Sequence, residues 1–232
     1  MNKISVRLFL FTLFIIQATY VNAAFEIPFT PLHYAAMKGD LAYVETFINS
    51  GEDVNIKAIG GIYPLHLAAL NNQPKIVEKL IQAQASISVK DDDKYTPLHL
   101  AAQQGHVDCL AILLQHHKDQ QVDKLNRFAE TALHCASKNG HTGCIILLMA
   151  AGAKADTIDQ DCRTPLFYAV TNGHTACVEK LLECDADCIS TFSSKKLEFW
   201  AREADYHDIA DMLIKARIYQ EQRAGQPKLK MD

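Results

Sequence analysis

Ten His and seven Cys are the residues of this 232-residue chain most able to do chemistry. His116 and His117 are adjacent and could begin a metal site. No third or fourth ligand stands at the usual spacing, so no metal is expected. The run Asp91-Asp92-Asp93 suggests Ca²⁺ but lacks the remaining ligands of a Ca²⁺ loop, and Asp suits a hairpin tip. Cys162, Cys184 and Cys188 could pair in an oxidising compartment, which leaves a redox-sensitive or stress-protective periplasmic factor as the alternative function. No Cys-x-x-Cys occurs. Gly-x-Ser-x-Gly, a phosphate loop with Lys and His-Glu-x-x-His are absent too, so the chain is read as no enzyme and as needing no cofactor.

Most of the His recur in register, which gives them a structural reading. Thr30-Pro31-Leu32-His33-Tyr34-Ala35-Ala36 is followed 33 residues later by Tyr63-Pro64-Leu65-His66-Leu67-Ala68-Ala69. Thr96-Pro97-Leu98-His99, Thr131-Ala132-Leu133-His134 and Thr164-Pro165-Leu166-Phe167 continue the series. Gly105-His106, Gly140-His141 and Gly173-His174 trail three of them, and Gly39-Asp40 trails the first. The hydroxyl of Thr can accept from a free helix N–H, and Pro at the first helical position needs no N–H of its own. Leu98, Ala101 and Ala102 lie at i, i+3 and i+4 and make one apolar face. Leu110, Leu113 and Leu114 do the same for a second helix.

This pattern resembles the ankyrin repeat, with Thr-Pro-Leu-His-x-Ala-Ala, then Gly-His, then a Leu-Leu helix. The resemblance implies an all-α solenoid of helix-turn-helix units joined by β-hairpin-like loops. Five repeats fall near residues 29–58, 62–91, 95–126, 130–160 and 163–194, within a domain spanning 25–214. A degenerate cap over 195–214 lacks both signatures. Its Leu197, Trp200, Ile209, Met212 and Leu213 keep the apolar register, as the closing unit of a solenoid should. Residues 215–232 read as a flexible tail. Two extra residues fall between units three and four, within Gln115–Gln121. Cys109, Cys144 and Cys177 share one position in successive second helices. Helices ~8–10 Å apart cannot bring that column within the ~7 Å that a disulfide needs.

The first 23 residues have a different character. Lys3 and Arg7 precede the apolar run Leu8–Ile16, and Val21 and Ala23 stand at the recognition positions of a cleavage site. This reads as a signal peptide, and the run is short for a spanning helix. Export to the periplasm or outside the cell, even into a host cell, is the expectation. The lack of any Asn-x-Ser/Thr sequon favours a bacterial source. Net charge is −4, and cleavage would remove Lys3 and Arg7 and leave −6. Neither value suits nucleic acid or an anionic membrane surface.

The resemblance further implies a non-catalytic, monomeric module that binds a protein partner on its concave face. In designed ankyrin binders the contacts lie at hairpin tips and near the end of each first helix. The matching positions are Ile59, Ile62, Leu70 and Asn71, then Asp92, Asp93, Tyr95, Gln103 and Gln104, then Arg127, Phe128, Glu130, Lys138 and Asn139. Ile59, Ile62, Leu70, Tyr95 and Phe128 are expected to form an exposed apolar cluster with a polar rim.

Overall fold

The computed structural model describes residues 28–116, 122–188 and 195–225. The export segment and the tail beyond Gly225 lie outside the described residues. So do His117 and most of the inserted loop. Among the described residues, twelve α-helices follow one another in pairs. Unit one holds α1 (Pro31–Lys38) and α2 (Leu41–Asn49), and unit two holds α3 (Pro64–Leu70) and α4 (Pro74–Gln82). Unit three has α5 (Pro97–Gln104) and α6 (Val107–Gln115), and unit four has α7 (Ala132–Asn139) and α8 (Thr142–Ala150). Unit five has α9 (Pro165–Thr171) and α10 (Thr175–Glu183), and α11 (Leu197–Glu203) and α12 (His207–Gly225) close the stack. The first helices of successive units pack on one another as one layer, and the second helices as another. This is the stacked arrangement of a solenoid.

The start of each first helix follows from its sequence. The hydroxyls of Thr96, Thr131 and Thr164 accept from the third N–H of their helices. Tyr63 has no such hydroxyl bond, yet its own N–H still donates to His66 Nδ1 at 3.2 Å. Ala132 stands where other units have Pro, and α7 begins there all the same. One face of each helix then disappears between the layers. Leu98, Ala101, Ala102, Leu110 and Leu113 are at most 1% exposed, and their counterparts in units two, four and five behave alike.

The repeated His tie each unit to the next. Thr96 N–H donates to His99 Nδ1 at 3.3 Å, and Thr96 Oγ1 lies 2.8 Å from the same nitrogen. A nitrogen that accepts from a backbone N–H carries no proton. The other ring nitrogen therefore carries it, and His99 Nε2–H donates to Glu130 O of the following unit at 3.1 Å. The same relay runs from His33 to Ile62 O, from His66 to Tyr95 O and from His134 to Arg163 O. Burial pushes all four imidazoles below their ordinary pKa, to about 4 for His66 and His99.

A second row points the opposite way. His106 Nε2 meets Leu70 O of the preceding unit at 3.1 Å, His141 meets Gln103 O and His174 meets Lys138 O. The rings of His141 and His174 lie so close to Gly105 and Gly140 that a Cβ there would come within 2.5–2.8 Å of a ring atom. Both glycines also hold φ near +75° as they end their helices, so glycine answers two demands at once.

The end of the stack corrects the sequence reading. The last helix runs 19 residues to Gly225, through the stretch from 215 that was read as tail. Contacts explain the extra turns. Gln220 Nε2 donates to Ala186 O at 2.9 Å, and Arg223 Nη1 bonds both carboxylate oxygens of Asp185 at 3.0 and 3.1 Å. These bonds fasten the final helix to unit five, where no Thr-Pro-Leu-His imidazole is present.

Candidate partner-binding face

The loops that enter units three, four and five close as tight hairpins, with one backbone bond repeated across them. Asp91 N–H donates to Tyr95 O at 3.0 Å, Asn126 N–H to Glu130 O and Asp159 N–H to Arg163 O. Neighbouring hairpins also bond one another. Asp92 N–H reaches Gly60 O, Arg127 N–H reaches Asp93 O and Gln160 N–H reaches Phe128 O, at 2.9–3.1 Å. The hairpins thus form a continuous shelf beside the layer of first helices. The fourteen predicted contact residues lie along this shelf and on the ends of α3, α5 and α7.

Their exposure differs from the expectation. Ile59, Ile62, Leu70, Tyr95 and Phe128 are half-buried, and Ile62 and Tyr95 pack against the core. Tyr95 also meets the ring of His99 edge-on at 5.8 Å, and the Arg127 guanidinium lies 5.5 Å from the Phe128 ring centre. Local contacts of this kind, within the same unit, take up part of the apolar surface. Asn71, Asp92, Arg127 and Lys138 are exposed, and Asp93, Gln103, Gln104 and Asn139 are half-buried.

Glu130 is buried at 5% exposure, which its sequence position did not suggest. Its carboxylate accepts from Asn126 Nδ2 at 3.0 Å and pairs with Lys138 Nζ at 3.1 Å. One unit further on, Asp159 is equally buried. It accepts from the Tyr168 hydroxyl at 2.6 Å and from the N–H groups of Asp161 and Arg163. Burial, followed by the bond to Asp159, pushes the Tyr168 phenol up to about 12. Tyr168 was absent from the sequence-derived set. Its signal was its place in the motif, since it occupies the variable position before Ala169.

The residues first considered for chemistry have other occupations. Asp91 Oδ1 accepts from Tyr95 N–H at 2.7 Å, Asp92 pairs with Lys57 at 3.8 Å and Asp93 pairs with Arg127. Desolvation raises Asp91 to about 6, so this carboxylate serves its own turn. Among the described residues no group of three or more His, Cys, Asp or Glu could hold a metal ion. Cys162, Cys184 and Cys188 are all free. Burial raises the Cys188 thiol to about 11 and its Sγ lies 3.2 Å from Gln220 Oε1, so the thiolate needed for exchange is disfavoured. Cys109 and Cys144 are likewise raised to about 11 by burial. The redox alternative therefore finds no support in these sites.

The family model for ankyrin repeats (3 copies) matches residues 32–125, 65–159 and 118–192, well over half of the chain. The chain belongs to the ankyrin-repeat family. Its architecture is similar to the crystal structure of the ankyrin repeat domain of Bcl-3, described as a unique member of the IkappaB protein family. The two share 29% identity at a TM-score of 0.73, over 82% of this chain and 87% of that one. No curated protein sequence matches the chain. Ankyrin repeats are in general protein–protein interaction modules, typically without enzymatic activity. Among the described residues no helix is long and apolar enough to cross a membrane.

Proposed function

We propose that this ankyrin-repeat protein is an exported, monomeric, non-catalytic module that binds a protein partner on the inner face of units two to four. The observation that carries this reading is a contrast between positions of the repeat. Thr, Leu, His and the paired Ala recur because stacking uses them. The position three residues after the variable site reads Met37, Leu70, Gln103, Lys138 and Thr171, with no common chemistry. A position that stacking leaves free to vary, on a continuous face, is where recognition is built.

The test is affinity capture of the partner from the source cells, followed by titration against a Leu70→Ser, Gln103→Ala, Phe128→Ala variant. Ile62 and Tyr95 are left intact because they pack into the core. Interface anchors cost at least ~2 kcal/mol when truncated, so binding should weaken about thirtyfold while circular dichroism stays unchanged. A folded variant that binds as tightly as the parent refutes the proposed face.

A further inference from the structure

Unit one has no unit before it, and four of its positions record the difference. Pro31 is exposed, while Pro64, Pro97, Ala132 and Pro165 at the same place are buried. Tyr34 is 41% exposed, while Leu67, Cys135 and Tyr168 are 1–7% exposed and Leu100 is half-buried. Tyr43 is 38% exposed, against at most 1% for Ile76, Cys109, Cys144 and Cys177. Phe47 is half-buried, whereas Leu80, Leu113, Leu148 and Leu181 are wholly buried. These are the positions that a preceding unit covers. In unit one they make an open seam across α1 and α2, and three of its four residues are aromatic. Tyr43 stacks on Phe47 with ring centres 6.5 Å apart, and Phe29 meets Tyr34 edge-on at 5.9 Å. The end of a solenoid needs a polar side toward water, and these rings do not supply one.

The chain just before unit one has the chemistry to cover this seam. Ala24-Phe25-Glu26-Ile27 lies outside the described residues and leads directly into Pro28. Pro28 stands where the turns that enter units two to five have Gly61, Lys94, Ala129 and Cys162, all at φ between +58° and +72°. The proline ring holds φ near −65°, so a turn of that kind does not form before unit one. The residue before a proline is driven to extended backbone, and here that residue is Ile27. Along an extended chain alternate side chains share a side, so Phe25 and Ile27 face one way and Glu26 the other. Four extended residues span ~13 Å, and packed helices stand ~8–10 Å apart. α2 returns alongside α1 after the short turn at Gly39 and Asp40, which brings Phe47, near its end, level with the start of α1. The segment is therefore long enough to cross from α1 to Phe47.

We propose that residues 24–27, the new N-terminus left by removal of the export leader, dock on the open seam of unit one, with Phe25 and Ile27 against Tyr34, Tyr43 and Phe47. The place of that terminus rests on the export reading above. The docking itself needs only that residues 24–27 precede α1. Four residues thus do for the first unit what a whole unit does for each of the others. A closed seam also denies a second copy its place there, in keeping with a monomer. Cleavage after Ala23, rather than nearer to Pro28, spares this cover.

The test expresses the full sequence, sequences the N-terminus of the recovered protein and follows amide hydrogen exchange by mass spectrometry. In a Phe25→Ser, Ile27→Ser variant, α1 and α2 should exchange at least about tenfold faster than in the parent, the size expected when a large apolar side chain loses its burial. α7 and α8 should keep the parent rate. Glu26→Ser should leave all four helices unchanged. Parent-like exchange of α1 and α2 in the double variant overturns the proposal, and so does equal acceleration by Glu26→Ser. A second measurement avoids destabilising the seam. Benzoyl-phenylalanine in place of Phe25 should photo-cross-link to α2 of the same chain, and links to other units or between chains overturn the proposal. Protection of α2 that rises with protein concentration in the parent assigns the seam to a second copy and overturns it too. A leader found intact refutes the export reading, while the same comparisons still decide the docking.

Discussion

Units two to four and the closing pair of helices solve one problem in two ways. Between units three and four, His99 reaches forward to Glu130 O and His141 reaches back to Gln103 O. Between unit five and the cap, Phe167 replaces the forward His and meets Trp200 edge-on at 6.0 Å. Tyr206 takes the place of the backward His against Gly173. Polar bonds have been exchanged for rings, and the lost specificity is recovered by the far turns of α12 through Gln220 and Arg223. A regular seam is fixed near its helix starts, and the terminal one is fixed at the far end of its last helix.

Removing the cap should give the largest effect. Truncation after Cys188 deletes Leu197, Ala201, Ile209 and Leu213 and uncovers Leu166, Phe167, Val178 and Leu181, all now buried. At ~1.5–3 kcal/mol for each large side chain, several together approach a whole domain's ~5–15 kcal/mol. The truncated chain should aggregate or melt without a cooperative transition. A monomeric product with an unchanged melting curve in calorimetry would show the terminal seam to be dispensable.

Acid should come next, and it should act on the regular seams. For His66 and His99 the folded pKa is about 4 against 6.5 for the free side chain. The unfolded chain therefore binds more protons between those values, and stability falls as pH drops through that window. At pH 4.5 the loss is on the order of 2–3 kcal/mol for each of the two, relative to pH 7. Asp91 has the opposite sign, since a folded pKa of about 6 against 3.8 adds stability as pH falls, and it offsets part of the loss. Urea titrations at pH 7, 5.5 and 4.5 should show a falling midpoint. A flat profile would contradict the neutral relay.

Single substitutions sharpen the contrast. His99→Leu strands Thr96 N–H in the interior and removes one of two bonds to Glu130 O, which keeps Asn126 N–H; at ~1–3 kcal/mol for the unsatisfied group and ~0.5–1.5 kcal/mol for the lost bond, the cost should be about 2–4 kcal/mol. Phe167→Leu removes edge-on pairs with Tyr168 and Trp200 and the Arg163 contact, strands no polar backbone group, and should cost about 1–2 kcal/mol. Denaturant midpoints give both, and equal costs would erase the distinction between the two seams. At the bottom of the scale, Asp93→Ala breaks an exposed pair with Arg127 and should cost less than ~1 kcal/mol in the same titration.

The repeat was legible in the sequence because its signals are local. Thr-Pro, Leu-His and Gly-His each specify a cap, a relay or a turn within a few residues, and each recurs three or four times along the five units. What the sequence hid depends on distant neighbours. Glu130 sinks because Asn126 and Lys138 meet it there, and no short-range signal distinguishes it from a rim acid. Tyr95 is half-buried against the core and the His99 ring, and Phe128 is half-buried with the Arg127 guanidinium beside its ring. The final helix was read too short, since its last turns are held by Asp185 and Ala186, which lie more than thirty residues earlier. The residues chosen for the candidate face do lie together along the hairpins and helix ends, but several that the sequence offers as exposed are half-buried or, like Glu130, buried.

The two rows of His point in opposite directions along the chain, and this has a mechanical consequence. A pull on the molecule along its long axis loads the seams in series, so the weakest yields first. Seams two–three, three–four and four–five each carry a forward and a backward stitch that must break together. The terminal seam carries neither, and its polar fastenings sit at the free end of α12, where they can be peeled one at a time. Under tension the protein is a stiff rod with a frangible tip. The tip opens at lower force than the rod, and it re-closes onto a template that has stayed folded.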